Sequence, residues 1–391
     1  MTKSVSGAVQ FALPHAPIRQ LLAADRYDEA IAKLDEILAA QPSDVAASEL
    51  LFTARFYKGE WAKALSIVEE LIQAKPDSRK YKQFLISTLS NLKRFPETID
   101  SILAFTARYG ENREILNVLK VAYFSTKKID EAIRVGQRVM EIRDAEVCAR
   151  AREAPPVATV KEPGDSNGAN VIVFSLWGAD PIHNYGAMIN TALAKTVYPG
   201  WICRFYVDST VPAATLKFLA TSGAEVIDAS IGLPAVPGYF RRFLPLNDPA
   251  VSRFLVRDCD ARLSAAEASL VDEWIASNCL FHIVRDHVLH NDLILAGLWG
   301  ARANCGIDIA DVISRYLKLR PGNKYGQDQV MLAEMIWPLI RSRCLVHDKY
   351  YRLDGVRTVA MDDFETHFGG GHKNPDLVAK ELDRHGIPRI L

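Results

Sequence analysis

Between Tyr27 and Asp144 apolar residues recur at helical spacing, and the whole pattern returns every 34 residues. The segments YDEAIAKLDEILAAQP, WAKALSIVEELIQAKP, FPETIDSILAFTARYG and IDEAIRVGQRVMEIRD end at Pro42, Pro76, Gly110 and Asp144. A bulky residue keeps the step at Tyr27, Trp61, Phe95 and Ile129, and a small one at Ala30, Ala64, Thr98 and Ala132. Such a register predicts paired helices that pack closely at the small position and bury their apolar faces only by stacking on neighbouring pairs. Residues 1–150 are therefore expected to form a helical repeat domain, with about four units over 11–145. The next stretch, AREAPPVATVKEPGDSNGAN (151–170), has neither helical nor strand periodicity and reads as a linker. Beyond it, VIVFSLW, a helical stretch near Tyr185 to Lys195, WICRFYVD, AATLKFLATSG and AEVIDAS alternate. This alternation predicts an α/β domain with a largely parallel sheet over 171–391.

The first third resembles the tetratricopeptide repeat in its period, its two helical halves and the breaker between units. Thr98 in place of the small residue and Gly110 in place of proline are the departures, both in the third unit. The resemblance implies an α-solenoid whose concave face receives a protein partner, and it is compatible with a homo-oligomer.

Length and composition narrow the class. A chain of 391 residues that is 49% hydrophobic and 24% charged with zero formal charge has the make-up of a globular protein of two or three domains. No excess of basic residues supports a nucleic-acid partner. Cys148, Cys203, Cys259, Cys279, Cys305 and Cys344 contain no CxxC pair, which argues against zinc ribbons and disulfide frameworks. The opening MTKSVSGAVQFALPH lacks the apolar core and cleavage site of a signal peptide, and no run of ~18 apolar residues occurs. A cytoplasmic protein without a transmembrane segment is the expectation.

Chemistry concentrates in SRFLVRDCDARLS (252–264). An apolar strand that ends in Asp258 and Asp260 presents two carboxylates one residue apart, a donor set suited to Mg2+ or Mn2+. Ligands of open α/β sheets also collect at the carboxyl ends of strands. The competing reading is a solvated turn.

The order of features beyond the linker is similar to that of the GT-A glycosyltransferases, most nearly the glycogenin-like branch. Those features are Val171 to Trp177, the DxD of Asp258 and Asp260, the small-residue segment Leu295-Ala296-Gly297, the pair Asp328-Gln329, and His347 in CLVHDKYY. RDCDARL, Arg285-Asp286-His287 and Gly297-Leu298-Trp299-Gly300 also resemble a bacterial group of repeat-containing glycosyltransferases. The resemblance spans roughly 170–352 and implies a Rossmann-like fold that binds a nucleotide-sugar, with a UDP-sugar as the expected donor. It implies that Asp258, Asp260 and His347 hold Mn2+ or Mg2+, and that Ser175, Leu176, Trp177, Tyr206, Arg242, Arg257, Asp258 and Gly297 contact the donor. Asp328 would face the sugar as a base, an electrostatic stabiliser or a hydroxyl binder. Arg257 and Ala296 stand where that branch usually has an aromatic residue and an asparagine.

Each of these residues also has a plainer reading. His347 at the end of an apolar strand suits a satisfied structural histidine, and Asp328 suits an acid at a helix N-terminus. Arg241 and Arg242 in GYFRRFLPLND match phosphate geometry but also suit a charged surface. Glu267 completes a Ser264-x-x-Glu267 capping box. RDHVLHND gathers Asp286, His287, His290 and Asp292 and reads either as an acceptor- or sugar-recognition element or as a polar loop; its histidine pair is a weak metal signal. FGGGHKNP lacks P-loop spacing and suits a C-terminal loop that closes over the donor.

The leading expectation is a metal-dependent transfer of sugar to a protein or glycan acceptor recruited by the repeats. One alternative is an aspartate-nucleophile phosphatase, built on DCDAR with Met361-Asp362-Asp363 as its later acidic motif. That nucleophile belongs on the first strand of its domain, whereas strands near 171, 201 and 225 precede Asp258. Another alternative is a repeat adaptor whose transferase domain is inactive.

Overall fold

The structure is a computed structural model that describes residues 15–153, 158–164, 167–229, 236–322, 326–361 and 367–390. It divides into two compact units, residues 1–135 and 136–391.

The first unit is helical: α1 (Ala16–Ala23), α2 (Tyr27–Ala40), α3 (Val45–Tyr57), α4 (Trp61–Ala74), α5 (Arg79–Asn91), α6 (Phe95–Tyr109), α7 (Arg113–Ser125) and the start of α8 (Ile129–Glu153). The bulky residue of each unit opens an even-numbered helix, and the small residue one turn later is buried in all four cases. Thr98 fits the small position because its hydroxyl donates to Arg94 O at 2.9 Å, leaving no unmet polar group. Two further residues keep the period of 34. Asp44, Ser78 and Asn112 cap α3, α5 and α7 by accepting from a backbone N–H three residues on. Asp25, Gly59, Lys93 and Lys127 all have positive φ in the turn that precedes the next helix. The core is divided among neighbouring pairs: Ile18, Leu34 and Leu50 pack together, and Phe52, Val68 and Tyr81 form the next cluster.

The second unit takes in the remainder of α8, so the compact division falls at 135/136, inside a helix that runs past the expected repeat boundary at 150. The expected linker is only partly described, and the described part is held to the second unit. Lys161 N donates to Cys305 O at 2.8 Å, and Arg343 pairs with Glu162 at 2.6 Å.

This unit contains β1 (Ala169–Leu176), α9 (Pro181–Val197), β2 (Trp201–Val207), α10 (Ala213–Thr221), β3 (Glu225–Asp228), a 3-10 helix (Gly238–Asn247) and β4 (Val251–Val256). There follow α11 (Ala265–Ala276), β5 (Phe281–Arg285), β6 (Trp299–Arg302), α12 (Ile309–Leu319) and α13 (Gln327–Met331). A π turn (Leu332–Ile336), α14 (Trp337–Ile340), β7 (Cys344–Asp348), β8 (Arg357–Ala360) and α15 (Pro375–Arg384) complete it. The eight strands form one sheet in the order β3-β2-β1-β4-β6-β5-β7-β8.

The sheet is parallel except at β6, which runs against both β4 and β5. The segment between β5 and β6 contains no helix to carry the chain across the sheet, so these adjacent strands pair antiparallel. On the other side, the chain winds outward through β1, β2 and β3 and then returns to place β4 beside β1. This reversal is a topological switch point, and it opens a crevice at the carboxyl ends of β1 and β4. Ile172, Phe174, Phe205 and Leu255 build a core with α9, whose Met188 and Ile189 are fully buried. Among the described residues, no helix is long and apolar enough to cross a membrane.

Candidate functional site

Residues from four segments meet at the crevice between β1 and β4. The carboxyl end of β1 delivers Ser175, Leu176 and Trp177; the turn after β4 delivers Asp258 and Asp260. The 3-10 helix supplies Arg242 and the start of α13 supplies Asp328.

Arg242 organises the centre. Its Nη2 donates to Asp328 Oδ2 at 2.8 Å and its Nη1 donates to Asp258 Oδ1. Burial works against the charge on Arg242, but the Asp258 and Asp328 carboxylates outweigh it and raise the guanidinium above its usual pKa. The arginine is thus locked as a cation between two acids that lie 70 positions apart in the chain. Gly297 is required here by space: a methyl group in place of its hydrogen would run into Asp258 Oδ2 and lie 2.7 Å from Cγ. Gln329, beside Asp328, donates from Nε2 to Asp292 and accepts from Ala296 N at 3.4 Å, tying the segment that carries Gly297 to the helix that carries Asp328.

At the β1 side, Trp177 is half exposed and its ring lies over Gly238, 3.1 Å from where a β-carbon would stand. Ser175 Oγ is buried with no hydrogen-bond partner among the described residues. Such an orphan at a strand end is a group in want of a ligand or water. Leu176 is buried in the sheet core, so only its backbone is available to a ligand.

Three expected contacts are corrected. Arg257 does not reach the crevice: it is buried, donates from Nε to Glu267, and donates from Nη1 to Val256 O at 2.6 Å and Trp299 O at 3.2 Å. Burial raises the pKa of Glu267, and the Arg257 cation opposes that shift. Ser264 does cap α11 by accepting from Glu267 N, so Glu267 joins both the helix start and this buried pair. Tyr206 is also enclosed. Its pKa is raised by burial beside Arg204, and that arginine is paired with Glu225 and Asp248 at 2.5 Å each.

His347 is the third correction. It lies on β7, with β6 and β5 between that strand and β4. Its Nδ1 is 2.8 Å from His282 Nε2 and its Nε2 is 3.1 Å from Glu273 Oε2. Burial lowers its pKa, which favours the neutral ring. Both ring nitrogens are engaged by neighbours other than the DxD, so His347 does not complete a site with Asp258 and Asp260.

The residues that do border Asp260 lie further along the chain. His372 N donates to Asp260 O at 2.7 Å, and Gly371 packs so closely that a β-carbon there would lie 3.2 Å from Asp260 Cγ. The same segment includes Lys373, and His372 Nδ1 lies 3.3 Å from Glu381 Oε1. Arg262 also holds this region, donating from Nε to Glu381 at 2.9 Å and from Nη1 to the carbonyls of Asp260 and Ala261 at 3.2 and 3.0 Å. The run of glycines in FGGGHKNP was the available sequence signal for this close approach. Of the acidic pair at 362 and 363, nothing is described.

Asp258 Oδ2 and the partly exposed Asp260 carboxylate are hard oxygen donors that suit Mg2+ or Mn2+. The donor set for such an ion therefore fits in its two carboxylates and does not fit in His347.

A tetratricopeptide-repeat family model matches residues 21–85. With the helix pairs and caps described above, this makes the first unit a tetratricopeptide-repeat region, an architecture suited to binding proteins. Solved structures of MamA are similar in part. MamA 41-end from Desulfovibrio magneticus RS-1 is 17% identical, with 35% of this chain and 77% of that one covered and a TM-score of 0.31. MamA AMB-1 is 19% identical, with 32% and 67% covered and a TM-score of 0.29. No curated protein matches the chain.

Proposed function

We propose that the α/β unit is a nucleotide-sugar-dependent glycosyltransferase and that the tetratricopeptide repeats recruit its protein or glycan acceptor. The observation that carries this reading is Arg242 bridging Asp258 and Asp328 at the mouth of the β1/β4 switch point. One acid of the DxD is thereby set in register with a second, deeper acid, while Asp260 is left free of that bridge.

In this reading the half-exposed Trp177 ring offers a face on which the base of a UDP-sugar stacks, and Ser175 Oγ gains the partner it lacks. Asp258 Oδ2 and Asp260 would hold Mn2+ or Mg2+, which supplies charge neutralisation at the diphosphate when bound. Arg242 keeps Asp258 fixed without removing both of its oxygens from use. Asp328, with one oxygen on Arg242 and the other accepting from Gln329 N at 2.9 Å, is oriented to take up a sugar hydroxyl or stabilise positive charge at the anomeric carbon. The 371–373 segment over Asp260 limits access of water, a requirement for transfer over hydrolysis.

The test is a panel of nucleotide-sugars presented with Mn2+, with binding and slow donor hydrolysis measured with and without chelator. A UDP-sugar should bind and be hydrolysed only with metal, and Asp260→Asn should lose both. Absence of any metal-dependent donor would overturn the reading. Phosphate release from a generic ester, abolished in Asp258→Asn, would replace it with the phosphatase.

A further inference from the structure

Asp286, His290 and His367 converge at the end of β5, and neither the Arg242 bridge nor the carboxylate pair uses them. Asp286 and His290 belong to the loop that leaves β5, whereas His367 opens the segment that continues to Gly371, which packs on Asp260. One ligand-type atom from each of the three lies within 4.8 Å of the others, a grouping of three found here among the described residues. Asp286 Oδ1 is 2.7 Å from His290 Nδ1 and 3.7 Å from His367 Nε2, and His367 Nε2 is 3.3 Å from the His290 ring nitrogens.

Asp286 and His290 lie within hydrogen-bond distance of each other, and the three separations also suit a shared ion. Ligands at about 2.0–2.1 Å from a tetrahedral ion stand roughly 3.3 Å from one another, and the three observed edges bracket that length. Two neutral imidazoles at 3.3 Å either share one proton as a hydrogen bond or each turn a lone pair toward a cation held between them.

The surroundings are built for the same geometry. Asp286 is buried and its second oxygen accepts from Phe368 N, which fixes the carboxylate. Gly369 and Gly370 are needed for closeness: β-carbons there would stand 2.8 Å from His290 Cε1 and 2.8 Å from His367 Nδ1. His287 packs its ring on His367 at 4.6 Å, limiting the rotamers open to it. His367 itself is exposed, so a metal would have an entry path and an open position.

We propose that Asp286, His290 and His367 form a site for a divalent transition metal of the zinc class, separate from the carboxylate pair Asp258 and Asp260. The two imidazoles are borderline donors that favour Zn2+ over Mg2+, and a single carboxylate completes a donor set common for Zn2+. The site joins the β5 loop to the segment whose Gly371 and His372 lie on Asp260. Its effect is to staple that segment in place, and it stands whether or not the unit transfers sugars.

The full-length chain, stripped with chelator, is titrated with Zn2+ by calorimetry and with Co2+ by visible absorption. One equivalent of Zn2+ should bind, and Co2+ should give ligand-field bands stronger than those of the hydrated ion. His290→Ala and His367→Ala should each weaken Zn2+ at least about tenfold, whereas Asp260→Asn should leave it unchanged. Circular dichroism checks that each variant folds, and the Co2+ spectrum of the unmodified chain tests the site without any variant. No saturable Zn2+ binding, binding unaffected by both histidine changes, or binding lost in Asp260→Asn alone would overturn the proposal.

Discussion

Arg242 Nη2 donates to Asp328 Oδ2 at 2.8 Å although 86 positions separate them, and both side chains are almost wholly enclosed. Because Arg242 also holds Asp258, it is a cation shared by two acids of the crevice. Arg242→Ala would leave the buried Asp328 carboxylate without its partner, an arrangement that costs about 3–5 kcal/mol. Chemical denaturation should show a loss of that order, with Arg242→Lys recovering part of the stability but not the two-pronged contact.

Gly297 tests the same centre by steric means. Gly297→Ala would press a methyl group onto the Asp258 carboxylate. A stability loss of about 1–3 kcal/mol is expected from the overpacking, and metal-dependent nucleotide binding should weaken because Asp258 must turn away. Calorimetry on the folded variant separates the two effects.

The repeat unit allows a prediction from its period. Lys93 and Lys127 occupy left-handed turns at φ 58° and 63°, where the equivalent residue one or two units earlier is Gly59 at φ 85°. A side chain in that region is strained and glycine is not. Lys93→Gly and Lys127→Gly should each raise the midpoint of thermal unfolding, by about 0.5–1 kcal/mol in stability terms.

Lys120 gives a pH dependence. It is buried on α7, and burial lowers its pKa from 10.5 to about 8. Between those values the unfolded chain holds a proton that the folded chain has released, so stability rises as pH climbs from about 8 to 10.5 and is lowest below that window. Lys120→Met should remove the rise and stabilise the repeats at pH 7 by ~3 kcal/mol. Unfolding curves across this pH range decide it.

How much of this was legible from sequence differs by element. The repeats were readable because stacking demands a small residue at each step, and Ala30, Ala64 and Ala132 supply it. The turns were less readable, since three of the four left-handed positions carry Asp or Lys in place of glycine. In the second unit, the strand that leads to Asp258 followed the expected order, whereas the Arg242 bridge from Asp258 to Asp328 joins residues that no local pattern couples. Arg257 departed from expectation, because its partner Glu267 lies beyond a turn and was fully accounted for as a helix cap.

His347 failed for a different reason. CLVHD is buried on both faces of the sheet, so alternation gives no direction to the imidazole. Lateral strand order places it away from Asp260, and no local pattern encodes that order. Conversely, His367, Gly371 and His372 were hidden in a glycine-rich stretch that lacks periodicity, and only the tertiary path of the chain brings them to Asp286 and Asp260.

The most direct measurement of the central claim is a calorimetric titration of UDP into the full-length chain with Mn2+, repeated after chelation and with Asp260→Asn. The account predicts saturable binding at one site per chain that disappears on chelation and in the variant, with the circular dichroism spectrum unchanged. Binding that survives both treatments, or no binding of UDP or any other nucleoside diphosphate by the folded protein, would contradict it.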